Sequence, residues 1–289
     1  MESVEVTLPT GFAVKNRWSR SARLRPLQGT DEEAVREIAQ VLLPVERITM
    51  LLLRCLVNLG EKSVIDFDDV RSLTAGDRDA LLLHLRRLTY GNEIQSILTC
   101  PQSVCGEKMD LGLSISDVLV APDKNAKATH ETAINMNGST YDVKFRLPTG
   151  ADQEAVAKLA HRDPHTASEL LLQQCIDEIR KNGTKIEFEN NLPVALVESL
   201  SKRMAELDPQ AEILLDVTCP SCKQNFLANF DIGDYFFREL ITHSQQLYRE
   251  VHILALHYHW SENDILKMSY LKRQVYLKLL ADSLNPAEK

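Results

Sequence analysis

The sequence predicts an α+β fold: two tandem duplicated α+β domains joined through a shared set of four cysteines, then a C-terminal α-helical hairpin. Three observations carry that prediction. First, LRPLQGTDEEAV (24–35) recurs as FRLPTGADQEAV (145–156), TMLLLRCL (49–56) as ELLLQQCI (169–176), and SILTCPQSVCGEKMDLGLSISDVL (96–119) as LDVTCPSCKQNFLANFDIGDYF (215–236). The pairs Gly29/Gly150, Asp31/Asp152, Cys55/Cys175, Cys100/Cys219, Cys105/Cys222 and Asp117/Asp234 keep their order, at a spacing that drifts only from 121 to 117 residues. Second, the six cysteines fall into two sets of three. Third, the chain after residue 234 keeps a helical period and has no counterpart in the first repeat.

The first repeat (1–120) opens with the extended stretches VEVTLP and ARLRPL. Thr30 and Glu33 have capping-box spacing for a helix over DEEAVREIAQVLL. A further helix over GDRDALLLHLRRL leads to a strand, a cysteine turn and another strand. The polar, patternless APDKNAKATHET supplies a linker at 121–131. The second repeat (132–233) opens with TAINMNGSTYDVKFRL, where Asn137-Gly138 between alternating residues signals a two-residue hairpin turn. Thr166 and Glu169 repeat the capping-box spacing before LLLQQCIDEIRK, and PVALVESLSKRMAEL leads into the second cysteine turn.

The tail (234–289) starts with a helix carrying Phe237, Leu240, Ile241, Tyr248, Val251 and Leu254 at helical spacings. Ser261 is placed as an N-cap, with Asp264 three residues on and Trp260 and Ile265 as a hydrophobic staple. A second helix over NDILKMSYLKRQVYLKLL shows Ile265, Met268, Leu271, Val275 and Leu279 on one side, with Lys267, Arg273 and Lys278 off that stripe. Such a hairpin either packs on its own domains or lies in a partner's groove. In the second case Trp260, Ile265, Leu266, Lys272, Arg273 and Tyr276 are the partner-facing residues.

The composition is that of a globular chain, 44% hydrophobic and 26% charged, at a net charge of −8 and a pI near 5.6. That balance argues against nucleic acid, which needs clustered basic charge; RWSRSARLR (17–25) is a local exception. No apolar run approaches the roughly 18 residues of a membrane span. MESVEVTLPTG has no basic segment leading into an apolar one, so no secretory signal is expected and the thiols are expected to stay reduced.

Four residues separate Cys100 from Cys105 and two separate Cys219 from Cys222, and both intervals fit ligand pairs of a ribbon-type zinc site. The expectation is one structural zinc ion held by Cys100, Cys105, Cys219 and Cys222, two ligands from each repeat. Competing readings are two local disulfides, or four ordinary thiols. A thioredoxin-like redox pair places C-x-x-C at a helix start, whereas FLANFDI follows here. Cys55 and Cys175, inside apolar helical contexts, read as small core residues. His252, His257 and His259 have no glutamate at HExxH spacing, and no nucleophile elbow, P-loop or dinucleotide fingerprint is present. Asp117 and Asp234 read as helix caps. No enzyme and no small-molecule substrate are expected.

LPTGF (8–12), LRPLQGTDEE (24–33), LTAGDRDALLLHLRRLTYG (73–91), CGEKMDL (105–111) and FFRELITHSQQLYREVHILALHYHWSENDILKMS (236–269) together resemble the baseplate hub and assembly proteins of contractile phage tails and related contractile injection systems. The resemblance runs from Leu8 to about Leu280. Family members commonly carry CPxCG at the first knuckle; CPQSVCG is two residues longer. The resemblance implies a non-catalytic role in building the baseplate hub, with other baseplate or tail proteins as partners. It implies a location in the cytoplasm of the producing bacterium during assembly, and in the baseplate if the chain stays in the particle. A transient tail-assembly chaperone and a zinc-ribbon nucleic-acid-binding protein are the alternatives.

Overall fold

The computed structural model describes residues 3–14, 17–136, 138–187 and 192–284. Its elements are mixed helix and sheet. In the first unit β1 (Val4–Val14) pairs antiparallel with β2 (Arg17–Leu24), and the chain then builds α1 (Gly29–Val41) and α2 (Pro44–Cys55) before β3 (Leu56–Leu59) returns beside β2. Next come α3 (Phe67–Ser72) and α4 (Ala75–Tyr90), a hairpin of β4 (Glu93–Thr99) and β5 (Lys108–Ser114), and a single turn, α5 (Ile115–Val118).

An irregular stretch runs to β6 (His130–Met136), which pairs with β7 (Ser139–Phe145). Of the turn signal between these strands, Asn137 lies outside the described residues; Gly138 takes φ +73°. Then follow α6 (Gly150–Ala160), α7 (Pro164–Cys175), β8 (Ile176–Lys181) beside β7, and β9 (Thr184–Ile186). The β8–β9 turn is Asn182-Gly183 with φ of 49° and 82°, the residue pair that tolerates two left-handed positions. The second unit continues through α8 (Val194–Leu207), a 3-10 turn at Pro209–Ala211, and a hairpin of β10 (Leu214–Thr218) and β11 (Asn225–Asn229).

The same contacts recur in both units. Arg25 donates its backbone N–H to the Cys55 carbonyl, and Arg146 does the same to Cys175. Both guanidiniums grip an aspartate on the following helix, Arg25 to Asp31 at 2.6 Å and Arg146 to Asp152 at 2.5 Å. That aspartate caps its own helix: Asp31 Oδ2 accepts the Gln28 N–H, and Asp152 Oδ2 accepts the Thr149 N–H. The helix therefore begins earlier than the expected Thr30–Glu33 box, because Asp31 is already committed to the residue three before it. Likewise α7 is capped by Asp163, which accepts the Thr166 N–H with Pro164 at the first helical position, three residues ahead of the expected Thr166 cap.

The core of the first unit holds Leu8, Leu24, Leu51, Leu52, Leu81 and Leu85, all without exposure. Cys55 and Cys175 are fully buried, and burial pushes both thiols up, Cys175 to about 12. The second core centres on Val143, Phe145, Leu172, Ile179 and Leu200. Beyond it run α9 (Ile232–Tyr258), α10 (Glu262–Leu266) and α11 (Tyr270–Leu284). Phe236, Phe237 and Leu240 of α9 sink into the first unit's core. The expected single helix after Ser261 is broken at Lys267–Ser269, where Ser269 forms a β-bridge with Gln28.

Candidate metal centre

Two hairpins present the four cysteines. Cys100 directly follows β4 and Cys105 precedes β5; Cys219 directly follows β10 and Cys222 precedes β11. Each turn folds back tightly. The Cys100 N–H donates to the Glu107 carbonyl at 2.8 Å, and the Cys219 N–H to the Gln224 carbonyl at 3.0 Å. The residue after each second cysteine takes a left-handed backbone, Gly106 at φ +58° and Lys223 at φ +60°. Glycine does this without strain, whereas lysine carries a steric cost there.

The turns bring the sulfurs together across the hairpins. Cys100 Sγ lies 3.7 Å from Cys222 Sγ, and Cys105 Sγ lies 3.8 Å from Cys219 Sγ, with all four ligand atoms within 4.8 Å of one another. A disulfide needs about 2.05 Å, and all six cysteines are free. A tetrahedral Zn–S bond of about 2.3 Å makes each sulfur–sulfur edge about 3.8 Å. The two cross-hairpin edges match that value, so the donor set fits a zinc-sized ion. Among the described residues these cysteines form the one group with metal-ligand geometry.

The electrostatics are those of a crowded thiol cluster. Backbone N–H groups of Cys222 and Ser221 aimed at the Cys219 sulfur draw that thiol down to about 7. The Gln102 N–H acts in the same direction on Cys100, but burial and the three neighbouring thiols outweigh it and hold that group up at about 12. Around the sulfurs the apolar cover is thin: Met109 is buried, with Leu98, Val217 and Phe226 partly so. Two-stranded hairpins are marginal alone. The sulfur cluster joins the two at their tips, while Ile94 and Leu113 of one and Leu215 of the other pack on a common core at their bases.

The other expected site residues are placed differently from one another. Trp260 stacks on Tyr258 at 4.7 Å and meets Tyr276 edge-on at 4.8 Å, all three partly buried. Lys272 is exposed. Ile265 and Leu266 are buried against α9, and Arg273 has no exposure. These three face the chain's own interior and do not present themselves to a partner. Arg273 is drawn in by two carboxylates, Glu32 at 2.7 Å and Glu250 at 2.8 Å. His252, His257 and His259 are exposed and join no ligand cluster among the described residues. Asp117 and Asp234 sit in the first turns of α5 and α9, and the α9 cap itself is Asp231. No helix of the described residues is long and apolar enough to cross a membrane.

The described residues thus combine mixed helix and sheet with one cluster of four cysteines. The chain belongs to the family described as T4 bacteriophage base plate protein, whose model matches residues 17–237, well over half the chain. The match covers both cysteine hairpins and stops in the second turn of α9, so most of the 236–269 phrase that contributed to the resemblance lies outside it. Searches of the curated proteins and of the solved structures find no match.

Proposed function

We propose that this baseplate-family protein is a hub-type subunit that acts as a protein–protein adaptor without catalysis, and that one structural zinc ion ties its two halves together. The observation that carries the metal reading is the pair of sulfur edges of 3.7 and 3.8 Å, each joining one hairpin to the other. Cys100, Cys105, Cys219 and Cys222 would hold the ion. Bound zinc supplies charge neutralisation and fixed tetrahedral geometry, and four protein sulfurs leave no position for water or substrate. The chain's own contribution is the two tight turns and the N–H groups that stabilise thiolate at Cys219.

The two units are read as copies of one ancestral domain. Support comes from the recurrence of the Arg–Asp clamp, the arginine-to-cysteine backbone bond and the left-handed residue after the second cysteine. Bounds near 1–120 and 132–233, with a linker at 121–131, follow from the same correspondence. The partners are other baseplate or tail proteins. A net charge of −8 gives nucleic acid little purchase.

Quantitative mass spectrometry of purified particles and of assembly intermediates tests the role. A fixed ratio of this chain to known tail proteins in finished particles supports the subunit reading. Presence in intermediates with absence from particles makes it an assembly chaperone. Absence from both defeats the baseplate role.

A further inference from the structure

The tail does have a counterpart in the first unit. DFDDVRSLTAGDR (66–78) and SENDILKMSYLKR (261–273) align without a gap, each pair 195 residues apart. Asp66 and Ser261 are N-caps that accept the N–H of Asp69 and Asp264. Val70 and Ile265 are fully buried. Arg78 and Arg273 are buried as well, each donating its backbone N–H one turn back, to Thr74 and to Ser269.

Both segments seat the same way. Thr74 bridges Thr149, and Ser269 bridges Gln28. The Leu73 carbonyl accepts the Gly150 N–H at 3.0 Å, and the Met268 carbonyl accepts the Gly29 N–H at 3.2 Å. A Cβ on Gly150 would collide with the Arg78 guanidinium, and one on Gly29 would stand 3.0 Å from Leu266, so a side chain would crowd both seats. Thus α3–α4 is an arm docked on the start of α6, and α10–α11 is an equivalent arm docked on the start of α1.

The arms differ on their outer faces. On α4 the ridge Gly76, Ala80, His84 is covered by the turn after α8, and Asp208 Oδ2 accepts the Gly76 N–H at 3.0 Å. In the first unit only Gly91 and Asn92 separate α4 from β4, whereas Asp208–Ile213 separates α8 from β10. The first unit therefore has no such turn to lay on α11. The equivalent ridge there is large, apolar and open: Leu271 is 47% exposed, Val275 56% and Leu279 55%. Lys267, Lys272 and Lys278 are exposed around it, and the one carboxylate of α11 is Asp282.

We propose that the Leu271–Val275–Leu279 ridge with its lysine fringe is a docking surface for an acidic segment of another protein chain of the particle. Two observations fix that occupant. The equivalent ridge of α4 is covered by a turn that begins with an aspartate. The fringe is basic on a chain whose net charge is −8, so it attracts acidic surfaces that the rest of the molecule repels. The inference rests on the baseplate reading and names the face by which the adaptor holds a partner.

The test places a photo-crosslinking amino acid at Val275 of the full chain and irradiates intact particles and assembly intermediates. The expected product joins Val275 to an acidic segment of a different particle protein. Its yield falls roughly tenfold in a Lys272→Glu/Lys278→Glu variant, whose melting temperature matches the parent's because both lysines are exposed. A product with a second copy of this chain, or flotation of the chain with anionic phospholipid vesicles that the reversal abolishes, overturns the proposal. So does a chain incorporated at normal ratio that yields no product, or a yield the reversal leaves unchanged; both outcomes leave the baseplate reading intact. Absence of the chain from particles and intermediates overturns both.

Discussion

The two α+β units solve the same packing problem with different amounts of help. The first unit's core takes in Ile213, Phe230, Ile232, Phe236, Phe237 and Leu240 from far along the chain, while among the described residues the fully buried part of the second unit's core lies between Tyr141 and Met204. The first is sealed by α9 and locked by the Arg273–Glu32–Glu250 ion group. The second leans on the first through the Thr74–Thr149 seat, the Arg71–Glu154 ion pair, the Asp208–Gly76 contact and the sulfur cluster. Stability is therefore unevenly distributed, and the second unit is the one expected to open first when its outside supports are removed.

The largest effect is expected from the sulfur centre. Cys219→Ser, or stripping the metal with a chelator, should free the hairpins and split one calorimetric transition into two. The earlier one would belong to the second unit and lie lower by roughly 10 °C. A single unshifted transition would remove the staple from the account. Next in size is Arg273→Ala, which leaves Glu32 and Glu250 buried without a countercharge and should cost about 3–5 kcal/mol. Hydrogen exchange should place that loss in α1 and α9, and sparing of those helices would contradict the proposed division.

A subtler change sharpens the contact between the units. Burial pushes the Asp208 carboxyl up to about 7, from an ordinary value near 3.8. The folded state therefore holds a proton that the unfolded state releases. Its stabilisation is complete below about pH 4 and is lost as pH rises through 7. Asp208→Asn keeps an acceptor for the Gly76 N–H and removes that slope. The variant should gain roughly 1 to 3 kcal/mol over the parent at pH 8 and little at pH 4; parallel pH–stability curves would refute this. Smallest is Lys223→Gly, which relieves a left-handed lysine and should add about 1 kcal/mol or less in denaturant titrations. Its counterpart Gly106 already has that relief, so Gly106→Lys should move in the opposite direction.

The clustering of the four cysteines was legible because its information is local: two short Cys-to-Cys intervals and a repeat that pairs them. The arms were not. Over the aligned segments only Asp69/Asp264 and Arg78/Arg273 are identical, and in the helical turns that follow only Leu82/Leu277 and Leu85/Leu280, too few for periodicity to expose. The buried face of α11 was not legible for a related reason. The helix carries apolar residues on both sides, Leu271, Val275 and Leu279 on one and Tyr276, Leu277 and Leu280 on the other, and its own sequence cannot say which side meets the core. Arginine is normally a surface residue. Arg273 is not, because one of its partners, Glu32, arrives from 241 residues away. The Asn182-Gly183 turn was readable by the rule applied to Asn137-Gly138.

Metal content measured on the intact chain tests the central claim most directly. Native mass spectrometry of protein purified without added metal should show one zinc ion per chain. That ion should be lost in Cys100→Ser and in Cys219→Ser alike, since one ligand set spans both hairpins. Two ions per chain, none at all, or retention of the ion by either variant would contradict a single centre shared between the units.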